Sequence, residues 1–495
     1  MASGDPAPDG VVLWTRVSVA HSASVPVRWT VSSDPALADR VAGGEVTATP
    51  DGDHTVHVPV AGLRPATTYW YGFAVGDDRS PVGRTRTLPA ADDSVGRVRL
   101  GVVCCSHYAT GYFNAYGRLA ERDVDFVVHL GDYIYEAEAK HENWTRLHRP
   151  RGRCLTLRDY RARHGQYKTD PDLQRLHARH PMVAVWDDHE LAGNAWWDGA
   201  AGHVNWSDGD WPRRRAAAVR AYWEWMPQVP PDPSDPFRVW RTVRLGRLAD
   251  LVLLDTRLTG RERPAAGRRP VLGIRRRDRA LLGPGQWAWL EETLGAAAAP
   301  YRPWTLVASQ VVMAPIHLLR AGGAVGRHLG AVGGGLIVNP GQWDGYPEER
   351  ERLLALLAGR RGEALVLSGD LHSSWVSQLA AEDGRGAAVA GDFTVPAVSA
   401  PTFARALAPK VPGARSALEW LIRRANPQVA WVDTARHGYV LLDVTAERIE
   451  GQWWHVERVG RRTEVERLAA TWSVARGDPR PVGGPSGDPS GRAGP

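Results

Sequence analysis

From residue 97 onward the chain repeats one pattern: a short apolar run, a polar stop, then a helix-like segment. The runs are VRLGVV, DFVVHL, MVAVW, DLVLLD, WTLVAS and ALVLSG. Helical periodicity follows in NAYGRLAERD (114–123), RRRAAAVRAYWEWM (213–226), PGQWAWLEETL (284–294) and PEERERLLALLAG (347–359). Strands alternating with helices indicate an α/β domain, here spanning 97–475. At 495 residues there is ample material for a large core and too much for one ordinary domain.

The first 92 residues obey a different period. VPVRWTV (25–31) places Val25, Val27, Trp29 and Val31 on one face, and TVHVPV (55–60) does the same with Val56, Val58 and Val60. In AGLRPATTYWYGFAV (61–75), Tyr69, Tyr71, Phe73 and Val75 alternate, and the spacing Leu63, Pro65, Thr67, Tyr69 is that of a tyrosine corner. Residues 1–92 are thus expected to form a small β-sandwich of the fibronectin-III or immunoglobulin type, joined to the α/β domain by the polar linker PAADDSVGR. The glycine-rich stretch 321–346 is expected to be a loop, and the Gly/Pro/Ser-rich segment 476–495 a disordered tail.

Charge and cysteine content narrow the function classes. A net charge of +6 and a pI near 9.3 could suggest a polyanionic partner, but lysine is nearly absent and no run interleaves basic with aromatic residues. The basic cluster GIRRRDR (273–279) is read as solvated surface, and no nucleic-acid-binding module is expected. Three cysteines exclude a disulfide framework, and the adjacent Cys104 and Cys105 are too close to pair with each other. No apolar stretch is long enough to cross a bilayer. There is no G-x-S-x-G elbow and no P-loop, which disfavours serine hydrolysis and ATP-driven chemistry.

Four strand ends finish alike. VRLGVVCCSH ends on Cys104, Cys105, Ser106 and His107; DFVVHLGDYIYE on Asp132, Tyr133 and Tyr135; MVAVWDDHELAGN on Asp187, Asp188, His189, Glu190 and Asn194; LVLSGDLHSSW on Asp370 and His372. Each has a structural explanation when taken singly: a helix cap at Asp370, a core histidine at His372, a turn at Asp132, small buried thiols, an ion-pair cluster in WDDHE. Ligands in open α/β sheets bind beyond the carboxyl ends of strands, so the four ends can converge. Carboxylates, imidazoles, a thiol and a carboxamide gathered there need a counter-charge, which a metal supplies and two metals supply better.

The combination resembles the calcineurin-like metallophosphoesterases, and more closely the PhoD-type alkaline phosphatases. The likeness runs along nearly the whole chain: SGDPAPDGVVLWTRV (3–17), CCSHYATGYFNAYGRLAERDVDFVVHLGDYIYE (104–136), WDDHE (186–190), LLDTR (253–257), SQVVMAP (309–315) and SGDLHSSW (368–375), in the family's order. It implies a core of two stacked β-sheets flanked by helices. It implies a ferric ion (Fe3+) held by Cys105, Asp132, Tyr135 and His372, with Asp132 bridging to a calcium (Ca2+) site completed by Asp370, Asn194 and Asp188. The implied reaction is hydrolysis of phosphate mono- and diesters by a metal-activated hydroxide or oxide. His189 would hydrogen-bond the phosphoryl group or protonate the leaving alkoxide, and Arg257 would contact the phosphate or, equally, pair with Asp255 or another carboxylate.

Two positions depart from the family pattern. Cys104 stands where a serine is usual, so the ligating thiol depends on register; the downstream GYF favours Cys105. Gly193 followed by Asn194 replaces two adjacent polar residues, which puts the second metal site in question. The aromatic pair Trp196 and Trp197 is expected either to wall the site or to pack in the core. The chain is expected to act as a monomer on a phosphate-ester substrate, with wall teichoic acids and phospholipids among the classes the resemblance suggests. Export to the periplasm or cell surface is expected, with a cytoplasmic protein as the alternative, although MASGDPAPDG is no signal peptide. Rival readings are a phospholipase D-like phosphodiesterase, a binding protein with a vestigial metal site, and a redox iron protein.

Overall fold

A computed structural model describes the chain except for residues 20–22, 139–144, 266–270, 273–275, 296–301, 321–334, 382–385, 408–410, 412 and 487–495. All six apolar runs are strands, and they fall into two sheets. Arg97–Val103, Phe126–His129 and Met182–Ala184 run parallel within a ten-stranded sheet. Ala249–Leu253, Trp304–Ser309, Glu363–Ser368 and Ala388–Thr394 run parallel within a seven-stranded one.

Alternation along these strands stacks the layers. Leu306, Ala308, Leu365 and Leu367 share a core with Leu100 and Val102 of the other sheet. Val307 and Val366 face away, onto Leu290 and Leu353 of the helices Gly283–Leu294 and Pro347–Ala358. The strands are apolar on both faces because both faces are covered. Phe393 and Trp453, one from each sheet, meet edge to face at 4.9 Å between ring centroids. The ten-stranded sheet carries the helix Asn114–Ala120 outside, where Gly101 makes room for Leu119. At their carboxyl ends the sheets join: Cys104 bridges to Ala397 in parallel, and the amides of Val398 and Ser399 donate to the carbonyls of Cys104 and Cys105.

The N-terminal region has its own core, in which Leu13, Val27, Val31, Val58 and Tyr71 meet. Tyr69 makes the expected corner, its hydroxyl accepting the Arg64 amide at 2.9 Å. The boundary at 92 is not a break between sheets, however. Ala2–Ala7, Gly10–Arg16 and Thr55–Val60 extend the ten-stranded sheet, entering it where Gly4 pairs with Met182. An open edge at Met182–Ala184 is thereby covered.

Three other expectations need correction. Residues 478–485 of the expected disordered tail form a strand, Asp478–Pro485, on the edge of the ten-stranded sheet. Prolines are tolerated there because an edge strand leaves amides unpaired; residues 487–495 lie outside the described ones. Of the glycine-rich stretch, 321–334 lies outside the described residues, but Gly335–Ile337 pairs as a strand with His317–Arg320 and with Val271–Leu272. The basic cluster 273–279 is described only from residue 276 onward. The helix expected at 114–123 stops at Ala120.

Candidate metal centre

The turns that follow the strands are wound left-handed at five of the seven expected ligands. Cys105, Asp132, Asn194, Asp370 and His372 all have positive φ, between 53 and 59°. Non-glycine residues rarely adopt this conformation, and its cost is tolerated where the surroundings fix the side chain for a purpose. Gly131 (φ 99°) lets the Asp132 turn pack against the WDDHE turn, since a Cβ there would stand 2.4 Å from the Asp187 amide nitrogen.

The first cluster draws on both sheets. The Tyr135 hydroxyl donates to Asp132 Oδ2 at 2.7 Å and lies 3.0 Å from His372 Nε2. Donor atoms of Cys105, Asp132 and His372 lie within 4.8 Å of one another. Cys104 turns away, its Sγ 3.6 Å from the Val395 carbonyl oxygen. His372 Nδ1 is held by the Pro401 carbonyl at 2.8 Å, which leaves Nε2 for the cluster. Burial, then the neighbouring Cys104, pushes the Cys105 thiol well up; burial, then the Asp132 carboxylate, does the same to the Tyr135 phenol. Burial opposes the charged form of His372, but Cys105 and Asp132 outweigh it and lift the imidazole to about 10.

Asp132 also belongs to a second cluster, with Asp188 and His189, and a third joins Asp187, Asp188 and Asp370. Asn194 sits beside this group, its amide donating to Asp188 Oδ2. Arg257 threads the three aspartates. Its Nε and Nη2 pair with Asp187, and Nη2 lies 2.9 Å from Asp370 Oδ1 and 3.4 Å from Asp188 Oδ1. Asp255 instead caps its own turn by accepting the amides of Arg257 and Leu258. Burial raises the Asp187 carboxyl, against the pull of Arg257 and with the push of Asp188.

Other residues shape these loops in roles that the sequence did not assign them. Glu190 accepts the amides of Asp132, Tyr133 and Asp187, tying two strand ends together. Glu136 Oε2 accepts from His189 Nδ1 at 2.7 Å, and its Oε1 accepts the Gly193 amide at 2.8 Å. Gln342, from the glycine-rich stretch, donates to Asp370 Oδ2. Their sequence signal was position alone: Glu136 and Glu190 lie in the motifs themselves. A Cβ at Gly193 would stand 3.2 Å from His189 Cε1, so the departure there gives the imidazole room. Burial disfavours the His189 cation, but Asp188, Glu136 and Asp132 raise it to about 10.

Most of the cluster is sealed: Cys105, Asp132, Tyr135, Asp187, Asp188 and Asp370 are buried. His189, His372, Gly193 and Asn194 are partly exposed and mark the mouth. The aromatic pair just beyond does not pack in the core; Trp196 is partly buried and Trp197 is 46% exposed. The chemistry of the donors suits a cation. Burial keeps the phenol and thiol neutral, whereas a multivalent ion bound among them would favour phenolate and thiolate. The oxygen-rich neighbouring group suits a hard ion.

The chain is similar to known proteins in family and in fold. The chain matches the PhoD-like phosphatase family over residues 100–453 and the PhoD-like phosphatase N-terminal domain over 1–89. It is 35% identical over 396 residues to alkaline phosphatase D of Bacillus subtilis (strain 168), covering 77% of this chain and 65% of that protein, just under two thirds of its length. A solved structure of PhoD superposes with a TM-score of 0.85 at 30% identity, covering 99% of this chain and 92% of the other.

Proposed function

Since this chain belongs to the PhoD-like phosphatase family, we propose that it hydrolyses phosphate mono- and diesters at a metal centre built on Asp132. One observation carries the reading. Asp132 is the only residue in both the thiol–imidazole cluster and the Asp188–His189 cluster among the described residues, the position that a carboxylate shared by two ions would take. Cys105, Asp132, Tyr135 and His372 would hold a ferric ion; Asp132, Asp188, Asp370 and Asn194 would offer oxygens to calcium. Bound there, the ions supply Lewis-acid neutralisation of the phosphoryl oxygens and a lowered pKa for water.

The chain's own residues do the rest. Glu136 occupies His189 Nδ1 and leaves Nε2 free to face the ester. Paired with the Glu136 carboxylate, which favours the imidazolium, His189 would have a proton to give to the departing alkoxide. Arg257 fixes Asp187, Asp188 and Asp370 relative to one another, and it is a positioning residue in this scheme. The sealed walls keep bulk water from the carboxylates, which strengthens every charge interaction inside. Export and a monomeric state remain part of this proposal; no described helix is long and apolar enough to cross a membrane.

The test is hydrolysis of bis(p-nitrophenyl) phosphate and p-nitrophenyl phosphate by protein supplied with iron and calcium, before and after chelation. Turnover lost on chelation and restored by the metals is the expected result. A metal-free protein with no restorable turnover would favour the binding-protein reading instead.

A further inference from the structure

Two cavities open beside the mouth of the centre. The smaller, ≈ 420 Å³, is bounded by Asn194 and Trp196; the larger, ≈ 950 Å³, by Trp197, Phe237 and Trp240. Asp198, Arg263 and Pro264 line both, so the two adjoin. The hairpin Ala195–Trp196 and Gly199–Ala200 carries the chain from Asn194 into this space. Trp197 lies three residues past Asn194. At about 3.3–3.6 Å per extended residue its Cα is within about 11 Å of that of Asn194, a span on the scale of an alcohol bearing one six-membered ring.

Trp197 is built as a platform. Its amide donates to the Arg261 carbonyl at 3.0 Å, and its carbonyl accepts from Arg215 Nη1 at 2.6 Å and Trp211 Nε1 at 3.2 Å. The Arg215 guanidinium lies 4.2 Å over its ring, which nevertheless stays 46% exposed. A large ring pinned through its backbone, backed by a cation and open to a cavity is a preorganised surface for a flat ring to stack on.

We infer that the Trp196–Trp197 hairpin is the leaving-group subsite, and that it selects phosphodiesters whose leaving alcohol carries a flat-faced ring. The inference rests on the phosphoesterase reading and deepens it: the sealed carboxylate cluster handles the phosphoryl group, and the open hairpin handles what departs. Trp197 contributes by contact with the leaving group, so its effect belongs to one class of substrate.

The experiment compares methyl 2-phenylethyl phosphate with methyl propyl phosphate, whose leaving alcohols have similar acidity, using protein supplied with iron and calcium. Release of 2-phenylethanol is expected to exceed release of propanol by about tenfold in kcat/KM, the size of one ring stack. Trp197→Ala brings that ratio close to one, whereas Trp197→Phe keeps most of it. Equal kcat/KM for both diesters in the unaltered protein, or a ratio unchanged by Trp197→Ala, overturns the subsite and leaves the phosphoesterase reading standing. No release of either alcohol, with p-nitrophenyl esters also untouched, removes that reading and the subsite with it.

Discussion

The Tyr135 hydroxyl lies 3.0 Å from His372 Nε2, although the two residues stand 237 positions apart and follow strands of different sheets. The centre is therefore assembled by the stacking of the two sheets. Neither sheet holds it alone: Asp132, Tyr135 and Cys105 come from one, Asp370 and His372 from the other. Sheet packing and metal affinity should be linked, because an ion bound only by the folded chain adds its binding energy to stability.

The two thiols should separate cleanly. Cys105→Ser is expected to lose the iron-site metal, because Cys105 shares the cluster with Asp132 and His372. Cys104→Ser should keep it, its hydroxyl replacing the thiol beside the Val395 carbonyl. Metal content of the two purified variants decides; equal loss in both would mean the register is misassigned.

Arg257→Gln leaves Asp187, Asp188 and Asp370 without their shared cation. Removing one partner from a buried charge cluster costs about 3–5 kcal/mol. Calcium should return part of that loss, so it should raise the melting temperature of the variant more than that of the parent. A variant of unchanged stability, indifferent to calcium, would show that the guanidinium is not the counter-ion.

Glu136→Gln should lower turnover by about 10–100-fold, the usual cost of losing an orienting partner behind a functional group. The glutamine can still accept the Gly193 amide, but it no longer supplies the charge that holds His189 as a cation. The expected split is a fall in kcat with KM nearly unchanged. A change confined to KM would point to a substrate-binding role instead.

Acid should destabilise the fold through its buried histidines. Burial lowers His129 and His148 to about 3, and His180, His437 and His455 to about 4. These depressed groups stay neutral in the folded chain while the unfolded chain takes up protons below about pH 6.5. The stability they contribute is thus fully present above that pH and is lost as pH falls toward 4, by up to about 1.4 kcal/mol per histidine per pH unit. Thermal melting between pH 7 and 5 should show a steep fall; a flat profile would mean these rings are accessible to protons in the native state.

The sequence announced some of these features and hid others for physical reasons. Runs such as ALVLSG were legible as strands because burial on both faces demands unbroken apolar residues, and their polar stops marked one end of each sheet. Cys105, Asp132 and His372 were legible as a group only through the motifs; the convergence itself comes from sheet stacking, which no local pattern encodes. Glu136 and Glu190 act by accepting backbone amides, a role without periodicity or spacing. Gln342 stayed hidden because a glycine-rich stretch reads as an undirected loop. The strand Asp478–Pro485 was missed because Gly and Pro composition argues for disorder until a neighbouring edge is available to pair with.

The most direct test is metal analysis of the purified protein and of Tyr135→Phe, with visible absorption recorded on both. The phenylalanine keeps the ring between His189 and His107, at 4.2 and 4.4 Å, and removes only the donor oxygen. The account predicts close to one iron per parent chain, a visible band from phenolate bound to that iron, and loss of the band with reduced iron in the variant. A parent protein that takes up no iron when supplied with it, or a band unchanged by Tyr135→Phe, would contradict a centre built on Asp132, Tyr135 and His372.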